Sequence, residues 1–202
     1  MSSQEFGALL MLATAMSFTP GPNTTLSTAL AANFGLRRAL PFCAAVPAGW
    51  TLLMLLCGAG LGALVLAAPA LRVAIKALGV GYLLWLAWKL ARTRAFGAAA
   101  APLHVGFGQG VLLQFVNIKA WMPALTMSAG WVAVAGAAPA QSARRLAVVV
   151  AVMVAYAFAS NFTYAVAGAL LRRWLAQGRR LVWFNRFLAA LLLLTALWMA
   201  TA

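Results

Sequence analysis

The chain has 202 residues, 65% of them hydrophobic and 8% charged, with 15 Lys and Arg against a single acid, Glu5, and a net charge of +14. A mean hydropathy of +0.96 excludes a soluble globular domain of ordinary composition and identifies an integral membrane protein. The sequence also has no metal-ligand spacing, no phosphate-binding glycine loop and no nucleophile–base–acid trio, which argues against an enzyme, a bound cofactor and ATP-driven transport by this chain.

Uncharged runs at residues 6–36, 39–71, 120–143 and 146–171 each exceed the roughly 20 apolar residues that cross a bilayer as a helix. Two shorter runs complete six expected segments, about 6–34, 40–66, 70–90, 107–136, 146–170 and 181–201. Together they make one all-α transmembrane domain over residues 1–202.

The first segment has no basic flank before it, and its apolar run is about twice a typical signal-peptide core, so it is expected to stay as a helix. In its middle stand Thr19-Pro20-Gly21-Pro22-Asn23. Proline lacks the amide donor and crowds the preceding turn, and broken backbone inside a membrane is tolerated where protein buries it or where it lines a wet cavity. A half-helix starting near Asn23 would offer free amides and a positive dipole end to a carboxylate. The half-helix ending near Phe18 would offer carbonyls to an ammonium. Pro20, Gly21, Pro22, Asn23 and Thr24 are therefore candidate substrate-binding residues, against the alternative of a kink that only shapes packing.

The second segment carries Cys43 and Cys57, fourteen residues apart, hence about 21 Å along a straight helix, too far to bridge. Its Gly58, Gly60 and Gly62, and Gly79 and Gly81 in the third segment, suit close helix packing or a homodimer contact. Lys76 and Lys89 frame the third segment and can snorkel outward. Residues 91–106, rich in Ala, Gly and Pro, form a linker between two halves of three segments each, and His104 within it is expected to be structural or solvated. An odd number of crossings per half would place the halves upside down relative to each other, as in inverted-repeat transporters.

The fourth segment carries the matching anomaly, Asn117-Ile118-Lys119. A lysine at membrane depth must pair, lose its proton or touch water, and the sequence has no acid within any segment to pair with it. Lys119 either binds an anionic group of a substrate or snorkels to a near interface. Asn117 faces the same cavity as Lys119 only if the helix is interrupted there. In the fifth segment Ser160, Asn161, Thr163 and Tyr164 either line that cavity or make interhelical hydrogen bonds. Trp85, Trp88, Trp174, Trp183 and Trp198 lie near segment ends and read as interface anchors.

For a soluble protein this charge would suggest nucleic acid, but the charges sit in short loops. Arg37, Arg38, Lys89, Arg92, Arg94, Arg172, Arg173, Arg179, Arg180 and Arg186 fall on one side, and Arg72, Lys76, Arg144 and Arg145 on the other. The positive-inside bias puts the first group, ten against four, in the cytoplasm and both termini outside it. Partners on that side are anionic lipids of a bacterial inner membrane and no nucleic acid.

Thr19-Pro20-Gly21-Pro22-Asn23, the glycine-then-basic run Asn33-Phe34-Gly35-Leu36-Arg37-Arg38, the stretch Leu83-Leu84-Trp85-Leu86 after Tyr82, and Asn117-Ile118-Lys119-Ala120 together resemble the LysE/RhtB family of bacterial amino-acid exporters. The Pro-Gly-Pro-Asn motif and the Asn-Pro-Lys-Ala motif carry the resemblance, with Ile118 replacing the proline of the second. Trp50 and Thr51 stand where members often carry a titratable residue. Ala87 replaces a common glycine.

The resemblance implies a secondary transporter that exports a small amino acid or derivative by alternating access, with helices one and four interrupted. Proton exchange is the coupling the resemblance implies; with Glu5 the one acid, Lys119 is a candidate carrier, and a co-migrating or uncoupled mechanism is the alternative. On this reading Lys119 and the amides after Pro22 hold the substrate carboxylate, carbonyls before Pro20 hold its ammonium, and Asn117, Asn161 and Tyr164 complete the site. The lack of an acid there favours a neutral side chain. The competing classes are an anion or small-solute channel and a non-transporting membrane scaffold subunit.

Overall fold

Glycine, proline and the side chains that cap free backbone groups decide where this apolar chain can be helical. The computed structural model describes residues 1–96, 103, 105–133, 136 and 138–201. Among them run α1 (Ser3–Phe18), α2 (Pro22–Phe34), α3 (Leu36–Gly58), α4 (Leu61–Ala67), α5 (Pro69–Arg92), α6 (Phe107–Val116), α7 (Ile118–Met127), a π-helical turn (Ser128–Val132), α8 (Pro139–Leu175) and α9 (Arg180–Thr201), with no strand. His104 and residues 97–102 of the expected linker lie outside the described residues.

Four helices, α3, α5, α8 and α9, are long and apolar enough to cross a membrane by length and composition. The other two expected segments are divided. The first breaks between α1 and α2 at Thr19, Pro20 and Gly21. The fourth breaks at Asn117, between α6 and α7.

Some expected boundaries move. The second segment is a longer helix from Leu36 to Gly58 and then a short one from Leu61 to Ala67. Gly60, at φ 103°, takes the left-handed conformation that ends the first and starts the second. The fifth segment runs seven residues earlier and five later than expected, as the 37-residue α8, about 55 Å long at 1.5 Å per residue. Charge ends an apolar run but not a helix: α8 opens on Pro139 at its first turn, where a missing amide costs nothing, and continues through Arg144, Arg145, Arg172 and Arg173.

The centre of the bundle is α2, in which every residue from Thr24 to Asn33 is buried. It packs backbone to backbone on α8, because a Cβ on Gly168 would collide with the Thr28 carbonyl oxygen. Gly79 brings α5 equally close to the Val116 carbonyl at the end of α6. Of the third-segment glycines expected to serve close packing or a homodimer contact, Gly79 is thus committed to internal packing, whereas Gly81 has nothing within 4 Å of its Cβ position.

Phe42, Leu83, Leu86, Leu113 and Leu192 belong to one apolar cluster. Leu9, Trp50, Leu53, Trp121 and Met127 belong to another. At the far end of α2, Asn33 and Asn185 pair their amides, and Asn185 Nδ2 also donates to the Thr93 carbonyl. Cys43 and Cys57 are both buried and free. Lys89, Arg92, Arg180 and Arg186 lie over the rings of Trp85, Trp88, Trp174 and Trp183 at 3.8, 4.4, 4.7 and 5.5 Å, joining charge and indole in an interface belt.

Candidate functional site: the paired helix breaks

An interrupted helix leaves its last four carbonyls without intrahelical donors. The carbonyls of Ser17 and Phe18 at the end of α1, and those of Thr19 and Pro20 in the break that follows, are each met by a side chain from another helix. Ser160 Oγ donates to the Ser17 oxygen at 2.6 Å and Tyr164 Oη to the Phe18 oxygen at 3.0 Å. Lys119 Nζ takes the remaining two, at 2.6 Å from the Thr19 oxygen and 2.9 Å from the Pro20 oxygen. The ammonium thus rests on the negative end of the α1 dipole.

Across the break, Pro22 opens α2 with Gly21 as its N-cap. Thr24 Oγ1 accepts from the Gly21 amide at 3.0 Å. The amides of Asn23 and Thr24 fall in the first turn, where no intrahelical acceptor exists. Gly21 is fully extended, at φ −176°, so the need for glycine is one of space. A Cβ there would sit 2.9 Å from both Lys119 Cδ and Lys119 Nζ.

The second break forms without a proline at 118. Asn117 is extended, at φ −95° and ψ 101°, and its Oδ1 accepts from the Lys119 amide at 3.1 Å, capping α7. The break turns Asn117 and Lys119 onto the same space. Three residues earlier, Gln114 exchanges hydrogen bonds with Asn23, Asn23 Nδ2 to Gln114 Oε1 at 2.9 Å and Gln114 Nε2 to Asn23 Oδ1 at 3.1 Å. That pair ties the first turn of α2 to α6.

Between the breaks lies a cavity of about 60 Å³, large enough to hold water. Gly21, Pro22, Asn23, Thr24, Asn117, Lys119 and Asn161 all line it. Pro20 contributes its carbonyl to Lys119 but borders a neighbouring groove instead. Tyr164 is also outside the cavity and acts on it through the Phe18 carbonyl. Asn161 Oδ1 accepts from Ser27 at 2.8 Å. Thr163 bonds only within its own helix, to the Ala159 carbonyl.

The carbonyls expected to await a substrate ammonium are therefore already occupied, by Ser160, Tyr164 and Lys119. Three further residues add polar groups to the lining. Gln114 is fully buried, and the one signal for it in the sequence was an amide inside the apolar run Val111–Val116. Ser17 Oγ is buried with no partner among the described residues. Trp50 donates from Nε1 to the Ala120 carbonyl at 3.2 Å, closing the wall from α3.

The single acid of the sequence is far along α1 from this cavity. Glu5 pairs with Arg145 Nη1 at 3.2 Å. The Ser2 amide and the Arg145 guanidinium hold its carboxyl below the usual range. Lys119 consequently has no protein carboxylate beside it.

The family model described as LysE type translocator matches residues 14–202. The cysteine/O-acetylserine efflux protein of Klebsiella pneumoniae subsp. pneumoniae is 33% identical over 181 residues, 89% of each chain. The protein of the same name from Salmonella typhimurium is 34% identical over 182 residues, again 89% of each. That from Escherichia coli K12 is 34% identical over 189 residues, 92% of this chain and 91% of the relative. No solved structure matches the chain significantly.

Proposed function

The chain belongs to the LysE-type translocators, and on that premise we propose that it is a secondary transporter exporting a small, neutral amino acid or derivative across the bacterial inner membrane by alternating access. Six crossings serve this, four by continuous helices and two by the broken pairs α1–α2 and α6–α7, in inverted halves with both termini outside the cytoplasm. The observation that carries the reading is the contact of Lys119 Nζ with the Thr19 and Pro20 carbonyls, because it joins the two breaks across one polar cavity.

In this conformation Lys119 stands where a substrate ammonium would go. A zwitterion entering the cavity supplies both missing charges. Its ammonium takes over the Thr19 and Pro20 carbonyls, and its carboxylate receives the released Lys119 together with the amides of Asn23 and Thr24 at the positive end of α2. The Lys119 ammonium already holds the Thr19 and Pro20 carbonyls, so binding requires it to leave them. Ser17 Oγ and the Asn23–Gln114 pair are the polar groups left for a small uncharged side chain. This agrees with relatives named for cysteine and O-acetylserine efflux.

Lys119 is the ionisable group of the cavity through which proton coupling would run. A homodimer contact is expected where internal packing leaves a glycine face open, at Gly81 on α5.

Counterflow of a labelled amino-acid panel in proteoliposomes tests the reading. Saturable exchange is expected from the wild type and its loss from Lys119→Ala and Asn23→Ala with the protein still folded. Conductance without counterflow would replace the transporter with a channel. Absence of both would leave a scaffold.

A further inference from the structure

Lys119 faces a second space. Adjoining the polar cavity, with which it shares Met16, Thr19, Gly21 and Lys119, lies a groove of about 420 Å³, within the range of roughly 300–1,000 Å³ typical of small-molecule sites. Thr19 and Lys119 form its floor, and Met16, Met122, Leu194 and Trp198 are among its walls. The groove follows the C-terminal half of α9 outward from the helix break. It is open along its length, with Leu194 61% and Trp198 43% exposed, so in a membrane it is reached from the hydrocarbon.

Among the described residues no acidic side chain compensates the charge on its floor. An ammonium has three N–H donors, and Lys119 Nζ spends two on neutral carbonyls. The one acidic side chain in the sequence, Glu5, is held by Arg145 at the start of α1. A hydrocarbon tail alone would satisfy the walls and leave this charge as it is. A free amine would meet repulsion from Lys119. An anionic head on an apolar tail satisfies both at once.

We propose that this groove binds an amphiphilic monocarboxylate, its carboxylate on Lys119 Nζ and its tail between Met122, Leu194 and Trp198. The site shares Lys119 with the transport reading but does not depend on transport, and it gives a carboxylate-bearing amphiphile a lateral path between the helix break and the bilayer.

The test uses the full-length protein in nanodiscs of zwitterionic lipid, titrated with a bromine-tailed decanoate and with the corresponding bromine-tailed decanol. The readout is the quenching lost on Trp198→Phe, which isolates the indole in the groove. Saturable quenching by the acid is expected at about tenfold lower concentration than by the alcohol, the worth of one charge-assisted hydrogen bond. Lys119→Met should bring the two ligands together, and Leu194→Trp, which fills the groove without touching Lys119, should weaken both.

Equal quenching by acid and alcohol would overturn the proposal and leave only a lipid tail in the groove. Quenching that never saturates, or that Trp198→Phe leaves unchanged, would overturn it as well, as would a second copy of the chain found covering Trp198. Because the isotherm requires no transport, failed amino-acid counterflow with saturable acid binding would sink the transport reading alone.

Discussion

Asn33 and Asn185, 152 residues apart, donate to each other at 2.8 and 2.9 Å in a pair from which solvent is wholly excluded. Asn33 Nδ2 also reaches the Ala29 carbonyl and Asn185 Nδ2 the Thr93 carbonyl, so both amide groups are spent. The pair fastens the end of α2 to α9 and to the residue that closes α5. Asn185→Ala should destabilise the protein by about 1–3 kcal/mol, since it strands the Asn33 amide and the Thr93 carbonyl. Asn33→Ala added to it should cost much less than it does alone. Thermal unfolding of the two single variants and the double variant measures this, and additive losses would rule out the pairing.

Gly21→Ala should displace the Lys119 ammonium, because the new Cβ would lie 2.9 Å from Nζ while the extended backbone accepts any residue. Exchange is expected to fall about tenfold or more, the rate equivalent of one charged hydrogen bond. Adding Gly21→Ala to Lys119→Ala should change little further. A full additional loss in the double variant would mean that Gly21 acts on something other than Lys119.

Ile118→Pro should be tolerated, and stabilising by up to about 1 kcal/mol. Residue 118 is the first of α7, where the amide has no helical acceptor. Asn117 before it is already in the extended conformation that a following proline prefers. Asn117→Ala, by contrast, removes the cap and should cost about 1 kcal/mol. Unfolding midpoints for the two variants check the pair of signs. A strongly destabilised Ile118→Pro would show that the break is not set by Asn117.

How much of the site could be read from the chain depended on what made each break. Pro20, Gly21 and Pro22 write theirs into the backbone chemistry, so it was legible. At Asn117 the interruption rests on one side chain folding back on the Lys119 amide. With isoleucine at 118, sequence could point to the spot but not to the geometry. Gly60 reads equally well as a packing residue or a helix end, and only its left-handed conformation decides. Gln114 was missed because a lone amide in an apolar run carries no signal until its partner, 91 residues away, is beside it. The helix ends of α8 were misplaced because arginines bound the hydrocarbon-compatible run, whereas the hydrogen-bonded helix runs past them.

Acid should loosen the outer end of α1. The folded Glu5 carboxyl is held below its usual range by the Ser2 amide and Arg145. The stability it adds is therefore complete above the unfolded carboxyl value of about 4.3. It is lost as pH falls from there through the lower folded value. Thermal unfolding followed from pH 7 downward should show this loss in the wild type and a flatter profile in Glu5→Gln. Identical profiles would remove the pair as a determinant.

The 27 residues from Arg145 to Arg172 set those guanidiniums about 40 Å apart along α8, close to the full thickness of a bilayer with its headgroups. A helix moored in this way must lean when the membrane thins. Ser160 and Tyr164 lean with it, and they hold the Ser17 and Phe18 carbonyls. Exchange in liposomes of graded acyl length should therefore pass through an optimum, and a flat response would show α8 to be uncoupled from the break. Through those two hydroxyls a tilt of α8 would be felt at the place where the first helix comes apart.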